Sequence, residues 1–504
     1  MISIKNLSKE YFGIPLFESV SFSIKKGDKI GLVGPNGSGK STIIKIILGK
    51  IEADNGSVRV ENEKIGYLPQ ELPFAPEDTI ESFLGFGDKI KIKNALGKVN
   101  FNTAVKFSAN GEEQEIRTTE KLDPNLKIKT LSGGQKTKLA LAKIFLHRPS
   151  ILILDEPTNH LDFRGLEWLE NFVREFNGGV LTVSHDRRFL DNTANKILEL
   201  DSANERFSEF HGNYTDFLIA KETQSEKEGY EYEKQQKHKK RLELWLSLKK
   251  QQAAMGGDKK KGKQVRAMKK RLEREVYSQE LKRPKREKTI GSIGFDGETN
   301  AGKLILKLKN ISKRFGQKQV LNGVALEIRG KDHVLLKGEN GSGKTTIVKI
   351  ATGILKPDSG EIKIGEKVNF GYFAQEHEIL NPENTVEQEL LQTLRLKKLE
   401  KDPRKILGQF LFSGNDIFKK VSNLSLGERV RLIFAKLTNQ QNEFLILDEP
   451  TNHLDIYSRE VIEEALMDFE GAILMISHDR YFLDKIKLNR TLELTNGEIN
   501  ETYC

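Results

Sequence analysis

Gly34-Pro35-Asn36-Gly37-Ser38-Gly39-Lys40-Ser41 follows a short apolar run, Lys29 to Val33, and leads into Thr42 to Leu48, which has helical spacing. The order is strand, glycine-rich loop, helix, with the full G-x-x-x-x-G-K-[ST] pattern. Its glycines let the backbone wrap closely, so that successive N–H groups face one anion. Lys40 then suits the β- and γ-phosphates of a nucleotide, and Ser41 a Mg²⁺ ion. A chance glycine turn is the competing reading, and the strand–helix context argues against it. The pattern returns at Gly338-Glu339-Asn340-Gly341-Ser342-Gly343-Lys344-Thr345, so the chain contains an internal duplication.

Other landmarks repeat in the same order. Gln70 sits in Tyr-Leu-Pro-Gln-Glu and Gln375 in Tyr-Phe-Ala-Gln-Glu. The apolar run Ile151 to Leu154 leads into Asp155-Glu156-Pro157-Thr158-Asn159-His160-Leu161-Asp162, and Phe444 to Leu447 leads into an identical octet, Asp448 to Asp455. Two further apolar runs end in Ser184-His185-Asp186-Arg187 and Ser477-His478-Asp479-Arg480. Strands alternating with helices around phosphate loops predict an α/β fold with a mainly parallel sheet in each half. An Asp at the end of a buried strand can hold the Mg²⁺ shell, which suits Asp155 and Asp448. The next acid, Glu156 or Glu449, is placed to polarise the water that attacks the γ-phosphate. His185 and His478 suit sensing or orienting that phosphate. A lone histidine is more often structural; its repetition at a fixed distance after Asp-Glu favours a site.

The duplicated halves flank a different kind of sequence. Between Lys221 and Ile290 there are 23 Lys or Arg against 11 Asp or Glu, while the whole chain of 504 residues carries a net charge of +10. The basicity is therefore local. Tyr214 to Ala254 reads as one long helix, with Leu242, Trp245, Leu246 and Leu248 near i, i+3, i+4 spacing. Gly256-Gly257 breaks it, Lys259-Lys260-Lys261-Gly262-Lys263 makes a basic tip, and a second helix is predicted from about Gln264 to Lys282, ending before Pro284. Most charge runs are solvated faces, and a plain spacer is the bland reading. The concentration of Lys and Arg at Lys259, Lys260, Lys261, Lys263 and Arg266 instead suits a phosphate backbone, read by charge and shape. The predicted domains are residues 1–215, a linker over 216–290, and 291–504.

Composition excludes several classes. There is no run of 18 apolar residues, and the first residues lack the apolar core of a signal peptide. The one cysteine, Cys504, permits no internal disulfide. A cytoplasmic protein without a transmembrane segment is the simplest expectation.

Leu131-Ser132-Gly133-Gly134-Gln135 resembles the signature of ATP-binding-cassette ATPases, and Leu424-Ser425-Leu426-Gly427-Glu428 resembles it with one glycine replaced. With the two octets, the charged helical linker and no membrane segment, the chain resembles the ABC-F subfamily over nearly its whole length. The resemblance implies two tandem cassettes joined by an antiparallel helical linker, facing head to tail around two molecules of ATP. One site would join Gly34 to Thr42 with Ser425, Gly427 and Glu428; the other would join Gly338 to Thr346 with Ser132, Gly133, Gly134 and Gln135. Gln70 and Gln375 would complete the Mg²⁺ shells beside Ser41, Asp155, Thr345 and Asp448. Phe12 and Phe315, each before a glycine, would stack on adenine, with Tyr11 as the alternative to Phe12. Both sites keep Lys, Asp, Glu and His, although Leu426 adds a side chain near one phosphate site.

The same resemblance implies an ATPase that binds the ribosome (50S or 70S) when closed on ATP, brings its linker near rRNA and tRNA, and leaves on hydrolysis. Gln70 to Ser132 is 12 residues longer than Gln375 to Ser425. The insert over about 71–130 holds a Gly-rich piece, Leu84-Gly85-Phe86-Gly87, and few long helical periods, so any ribosome-contacting arm there is short or absent. After Thr495 the chain ends with Asn496-Gly497 and Glu498 to Cys504, and no basic extension is expected. A monomer is expected, since fused cassettes complete both sites. Antibiotic resistance by ribosome protection is an alternative ranked lower because the linker tip is short. A membrane-transporter ATPase subunit and a DNA-associated ATPase are the alternatives from other classes.

Overall fold

The computed structural model describes residues 1–75, 77–85, 96, 99, 107–109, 112–114, 126–159, 161–201, 206–254, 259–275, 300–373, 380–412, 414–452 and 454–503. Its contacts divide the chain into two units, Met1–Tyr214 with Ile290–Cys504, and Thr215–Thr289.

The first unit holds two copies of one architecture. In the N-terminal half a six-stranded sheet runs in the order Arg206–His211, Lys196–Asp201, Lys29–Val33, Gly179–Val183, Ile151–Asp155, Ile65–Leu68, parallel except at the Arg206–His211 edge. All five residues of Ile151–Asp155 are buried. That continuous burial explains the unalternating apolar run, because a parallel strand is covered on both faces. The strand Lys29–Val33, which delivers the glycine loop, lies between strands that come much later in the chain. Its carboxyl end therefore opens at a topological switch point, where α/β sheets leave a crevice.

One face of this sheet is covered by the helix Lys40–Ile47 and by a three-stranded antiparallel sheet of Ile14–Ile24, Ile2–Tyr11 and Asn55–Val60. The helix carries Ile43, Ile44, Ile46 and Ile47, all buried, and these pack with Ile2, Ile4 and Leu7 on one side and Leu32 and Leu181 on the other. Each such side chain contributes about 1.5–3 kcal/mol by leaving water. The helix ends where Gly49 turns back at φ 68°.

The C-terminal half repeats this order with Glu498–Tyr503, Arg490–Thr495, His333–Lys337, Ala472–Ile476, Phe444–Asp448 and Phe370–Phe373. A helical layer covers its other face, where Val386, Leu390 and Leu394 pack with Leu407, Val430, Phe434 and Leu445. In the first half the insert described here comprises the capped helix Ile80–Leu84 and an antiparallel pair, Phe107–Ala109 with Glu112–Gln114. Residues 76, 86–95, 97–98, 100–106, 110–111 and 115–125 of that insert lie outside the described residues.

The second unit contains the helices Tyr214–Ala254 and Lys259–Glu275. The first spans the predicted residues. The second starts earlier than predicted, at Lys259 rather than about Gln264, so the lysine run forms its opening turns and not a separate tip. Lysine is a good helix former and one glycine costs only about 1 kcal/mol, which permits this. The predicted stop before Pro284 and the Gly256-Gly257 break lie outside the described residues. Leu242 and Leu246 pack with Leu272, Val265 and Met268. Trp245 and Leu248, which the spacing also placed on the apolar stripe, are half exposed. The short second helix covers a single row, and the Arg241 guanidinium lies 5.7 Å from the Trp245 ring centre.

Candidate active sites

Both glycine loops are built alike. Gly39 has φ 99°, and a Cβ there would lie 2.8 Å from Phe17 Cδ1. Gly343 repeats this with φ 110° and Val320 at 2.7 Å. Only glycine fits both the left-handed backbone and the close approach. Lys40 Nζ donates to the carbonyls of Gly34 and Pro35 at 2.7 and 2.9 Å. Lys344 Nζ does the same to Gly338 and Glu339 at 2.7 and 3.0 Å. Burial pushes both ammonium groups below the usual lysine range, against the pull of the nearby carboxylates.

Those carboxylates stand at the ends of the strands Ile151–Asp155 and Phe444–Asp448. The Ser41 hydroxyl reaches Asp155 and the Thr345 hydroxyl reaches Asp448, while burial raises both acids. Glu156 and Glu449 leave the strand ends in left-handed conformations, φ 49° and 50°. Their N–H groups donate to the carbonyls of Val183 and Ile476 at 2.8 and 2.9 Å. Such a backbone costs about 1–3 kcal/mol for a residue with a side chain. Burial pushes Glu156 up to about 7, against Arg459 and Lys40, and burial with Asp448 pushes Glu449 up to about 7.

His185 Nε2 lies 3.5 Å from Glu156 Oε1, and His478 Nε2 lies 3.5 Å from Glu449 Oε1. Burial, reinforced by Lys40 and Arg459, holds His185 well below the normal histidine range. Burial and Lys344 lower His478 to about 4. Both rings are therefore neutral near pH 7, able to donate one hydrogen bond without adding charge.

Several of these groups are unsatisfied. Ser38 Oγ, Asp155 Oδ1, Glu156 Oε1 and His185 Nδ1 are buried with no hydrogen-bond partner, as are Ser342 Oγ, Asp448 Oδ2 and both ring nitrogens of His478. Each such group costs about 1–3 kcal/mol, and clusters of them mark where a ligand belongs. They border two cavities. One, about 410 Å³, is lined by Tyr11, Asn36, Gly37, Gly39, Lys40, Ser41, Thr42, Gln70, Asp155, Glu156 and His185, with Leu454 and Arg459 from the other half. The second, about 500 Å³, is lined by Phe315, Asn340, Gly341, Gly343, Lys344, Thr345, Thr346, Asp448, Glu449, Arg459, His478 and Asp479, with Thr158, Asn159, Leu161, Leu166 and Asp186 from the first half. These sizes suit a nucleotide. Glycine-loop amides, a lysine, a hydroxyl–carboxylate pair and buried acceptors together fit a Mg²⁺–triphosphate.

Each cavity thus takes residues from both halves. Asn36 N–H donates to Asp455 Oδ2 at 3.1 Å, and Arg164 Nη1 pairs with Glu339 Oε1 at 2.8 Å. Arg187 pairs with Glu463, and Arg480 with Glu170, in reciprocal bonds across the duplication. The last Asp of each octet and the Asp of each Ser-His-Asp-Arg cap the helices that follow. Much of the repeated sequence therefore also starts helices.

The signature residues do not line either cavity. Ser132 with Gln135, and Ser425 with Glu428, form capping boxes at the starts of the helices Gly133–Leu146 and Leu426–Leu437. A Cβ on Gly427 would lie 4.0 Å from Asn36 Nδ2, so the second signature approaches the first loop; Gly133 and Gly134 follow Ser132, and Gly134 lies toward Leu161. Ser425 Oγ bonds the Glu428 carboxylate at 2.8 Å.

Phe12 is fully exposed, at a turn with φ 54°, and Tyr11 lines the cavity in its place. Tyr11 pairs with Ile14 as Phe315 pairs with Lys318, so Tyr11 is the positional counterpart of Phe315. Choosing the residue before glycine misplaced the register, because glycine is second in one two-residue turn and first in the other. Gln375 lies outside the described residues. Sequence reasoning passed over Arg459. Its counterpart four residues beyond the octet is Leu166, so a search for repeated residues could not find it.

Two sequence profiles, both described as ABC transporter, match residues 17–159 with 321–452, and residues 200–291. ABC transporter F family member 5 of Arabidopsis thaliana is 33% identical, covering 98% of this chain and 75% of that protein. The Energy-dependent translational throttle protein EttA of Escherichia coli O6:H1 is 34% identical over 94% of this chain and 88% of its own. Among solved structures, archaeal ribosome recycling factor aABCE1, in complex with the stalk protein aP1, aligns with a TM-score of 0.64 at 21% identity, covering 98% of this chain and 89% of that one. That likeness establishes the tandem-cassette fold. The profiles and relatives also make the chain an enzyme that hydrolyses ATP. Among the described residues no helix is long and apolar enough to cross a membrane. With both glycine loops, both octets and these matches in hand, the chain belongs to the ABC-F subfamily of ATP-binding-cassette ATPases.

Proposed function

We propose that this protein is a cytoplasmic, ribosome-associated ATPase of translation. ATP shared between the halves holds them together, the basic linker then contacts rRNA or tRNA, and hydrolysis releases the complex. The observation that carries the reading is the pairing of two composite cavities with a strongly basic helix. Lys259–Glu275 has nine Lys or Arg against two Glu, and Lys263, Arg266, Lys269 and Lys270 are exposed. A relative named for translational throttling supports the same partner.

In each site the loop amides and Lys40 or Lys344 bind the phosphates. Ser41 with Asp155, and Thr345 with Asp448, would hold Mg²⁺ together with Gln70 and Gln375, and the ion would supply positive charge that screens the phosphates. Tyr11 and Phe315 stack on the base. Glu156 and Glu449, with pKa values near the working pH, accept a proton from the attacking water. The neutral His185 and His478 orient the γ-phosphate by donating from a ring nitrogen. Ser132, Gly134, Ser425 and Gly427 cap the phosphate across the interface when the halves close further.

The test is sucrose-gradient sedimentation of the Glu156→Gln, Glu449→Gln double variant with cell extract. ATP-dependent migration with 50S or 70S particles supports the reading. A protein that stays at the top with and without ATP removes the ribosome as partner.

A further inference from the structure

The two halves are not symmetric where they meet. Arg459 is anchored on its own half: Nε donates to the Leu454 carbonyl at 3.2 Å and Nη1 to Asp479 Oδ2 at 2.9 Å. The same Nη1 crosses the interface and donates to the backbone carbonyl of His185 at 2.9 Å. Its side chain is 10% exposed. One guanidinium therefore joins the two Ser-His-Asp-Arg turns, one of each half. The residue it grips is the histidine whose ring stands 3.5 Å from Glu156. Arg459 lines the first cavity together with Lys40, Glu156 and His185, and on its own half it also borders the second cavity beside Asp479; its bond across the interface goes to the first-site histidine alone. Beside the second cavity the corresponding residue is Leu166, which has no hydrogen to donate.

We propose that Arg459 is a positioning residue supplied in trans to the first ATP site, and that Leu166 leaves the second site without one. The guanidinium fixes the His185 backbone, and through it the ring and Glu156, only while the halves are apposed. A planar, permanently charged donor suits this, because its geometry is set before the carbonyl arrives. Turnover at the first site is thereby coupled to apposition through a bond that the second site lacks. Burial raises Glu156 and the Arg459 charge opposes that rise, in keeping with the placement. The proposal rests on the assignment of both cavities as ATP sites, and its test separates the two ideas.

The full chain is loaded with radiolabelled azido-ATP and Mg²⁺, with or without orthovanadate, irradiated, and cleaved in the linker so that label on each half is counted. Label without vanadate reports binding; label with vanadate reports hydrolysis followed by trapping. Arg459→Leu and Arg459→Gln should lower trapped label on the N-terminal half by about tenfold or more, the scale of one charged hydrogen bond. Binding on both halves should be unchanged, and trapping on the C-terminal half, which Arg459 borders through Asp479 without reaching its histidine, should fall by a smaller factor than on the N-terminal half. Arg459→Lys, which keeps a charged donor but loses the planar fork, should restore N-terminal trapping only in part, above either neutral variant. Equal loss on both halves, loss of binding on either half, failure of lysine to rescue, or no loss at all overturns the inference. Wild-type protein that traps on neither half would instead sink the assignment of the ATP sites.

Discussion

Glu449 offers a test that needs no partner and no nucleotide. Its carboxyl is buried at a strand end, and burial with Asp448 moves it from 4.5 to about 7. The folded protein therefore holds a proton that the unfolded chain releases between those values. Stability from this group is fully present below about pH 4.5 and is lost as pH rises through 7. A tenfold change in proton affinity is worth about 1.4 kcal/mol, so the penalty accumulated between pH 5 and pH 8 is about 2–3 kcal/mol. Glu449→Gln keeps the shape and the acceptor for the His478 N–H but cannot ionise. The variant should match wild type near pH 5 and exceed it by about 2–3 kcal/mol at pH 8. Urea or thermal unfolding with EDTA present, at closely spaced pH values, measures this. With EDTA removed and Mg²⁺ and ATP supplied, turnover at that site should fall by a factor of about 10²–10⁴ in the variant. A stability difference that does not change with pH would show that the carboxyl is not held protonated, and the account of a base poised near neutrality would fail with it.

Other outcomes follow from the same geometry. Gly39→Ala forces a left-handed alanine against Phe17, a strain of about 1–3 kcal/mol; nucleotide affinity at the first site should drop by about tenfold or more, read by equilibrium binding, with the Lys344 loop unaffected. Glu463→Gln removes the buried partner of Arg187 and should lower stability by about 3–5 kcal/mol in denaturant unfolding, more than any loss from Arg164→Ala, whose pair with Glu339 is exposed. Lys263→Glu with Arg266→Glu should weaken ribosome co-sedimentation and flatten its salt dependence, leaving basal ATP turnover within about twofold; an unchanged salt slope would take the linker out of RNA contact.

The sequence by itself determined the fold and most of each site. A glycine loop between an apolar run and a helix has few physical solutions, and its recurrence at Gly338 to Thr345 fixed two domains of one architecture. The buried strands Ile151–Asp155 and Phe444–Asp448 were legible because a strand covered on both faces must be apolar throughout. Local pattern was weaker where register or depth decides. It could not distinguish Tyr11 from Phe12, because a two-residue turn sets which side chain faces the loop. Nor could it tell Trp245 from Leu246, because only the second helix settles which row is covered.

Tertiary structure alone decided what passes between the halves. Arg187 with Glu463, Arg480 with Glu170, and Arg459 with His185 join residues hundreds of positions apart. No local spacing encodes such pairs. Repetition even concealed Arg459, since its counterpart is leucine. Glu156 and Glu449 were recognisable as acids, but their rise to about 7 comes from burial among strands and loops brought together only by folding. A carboxylate's chemistry belongs to its sequence position; its proton affinity belongs to the dielectric and the charges that the fold places around it.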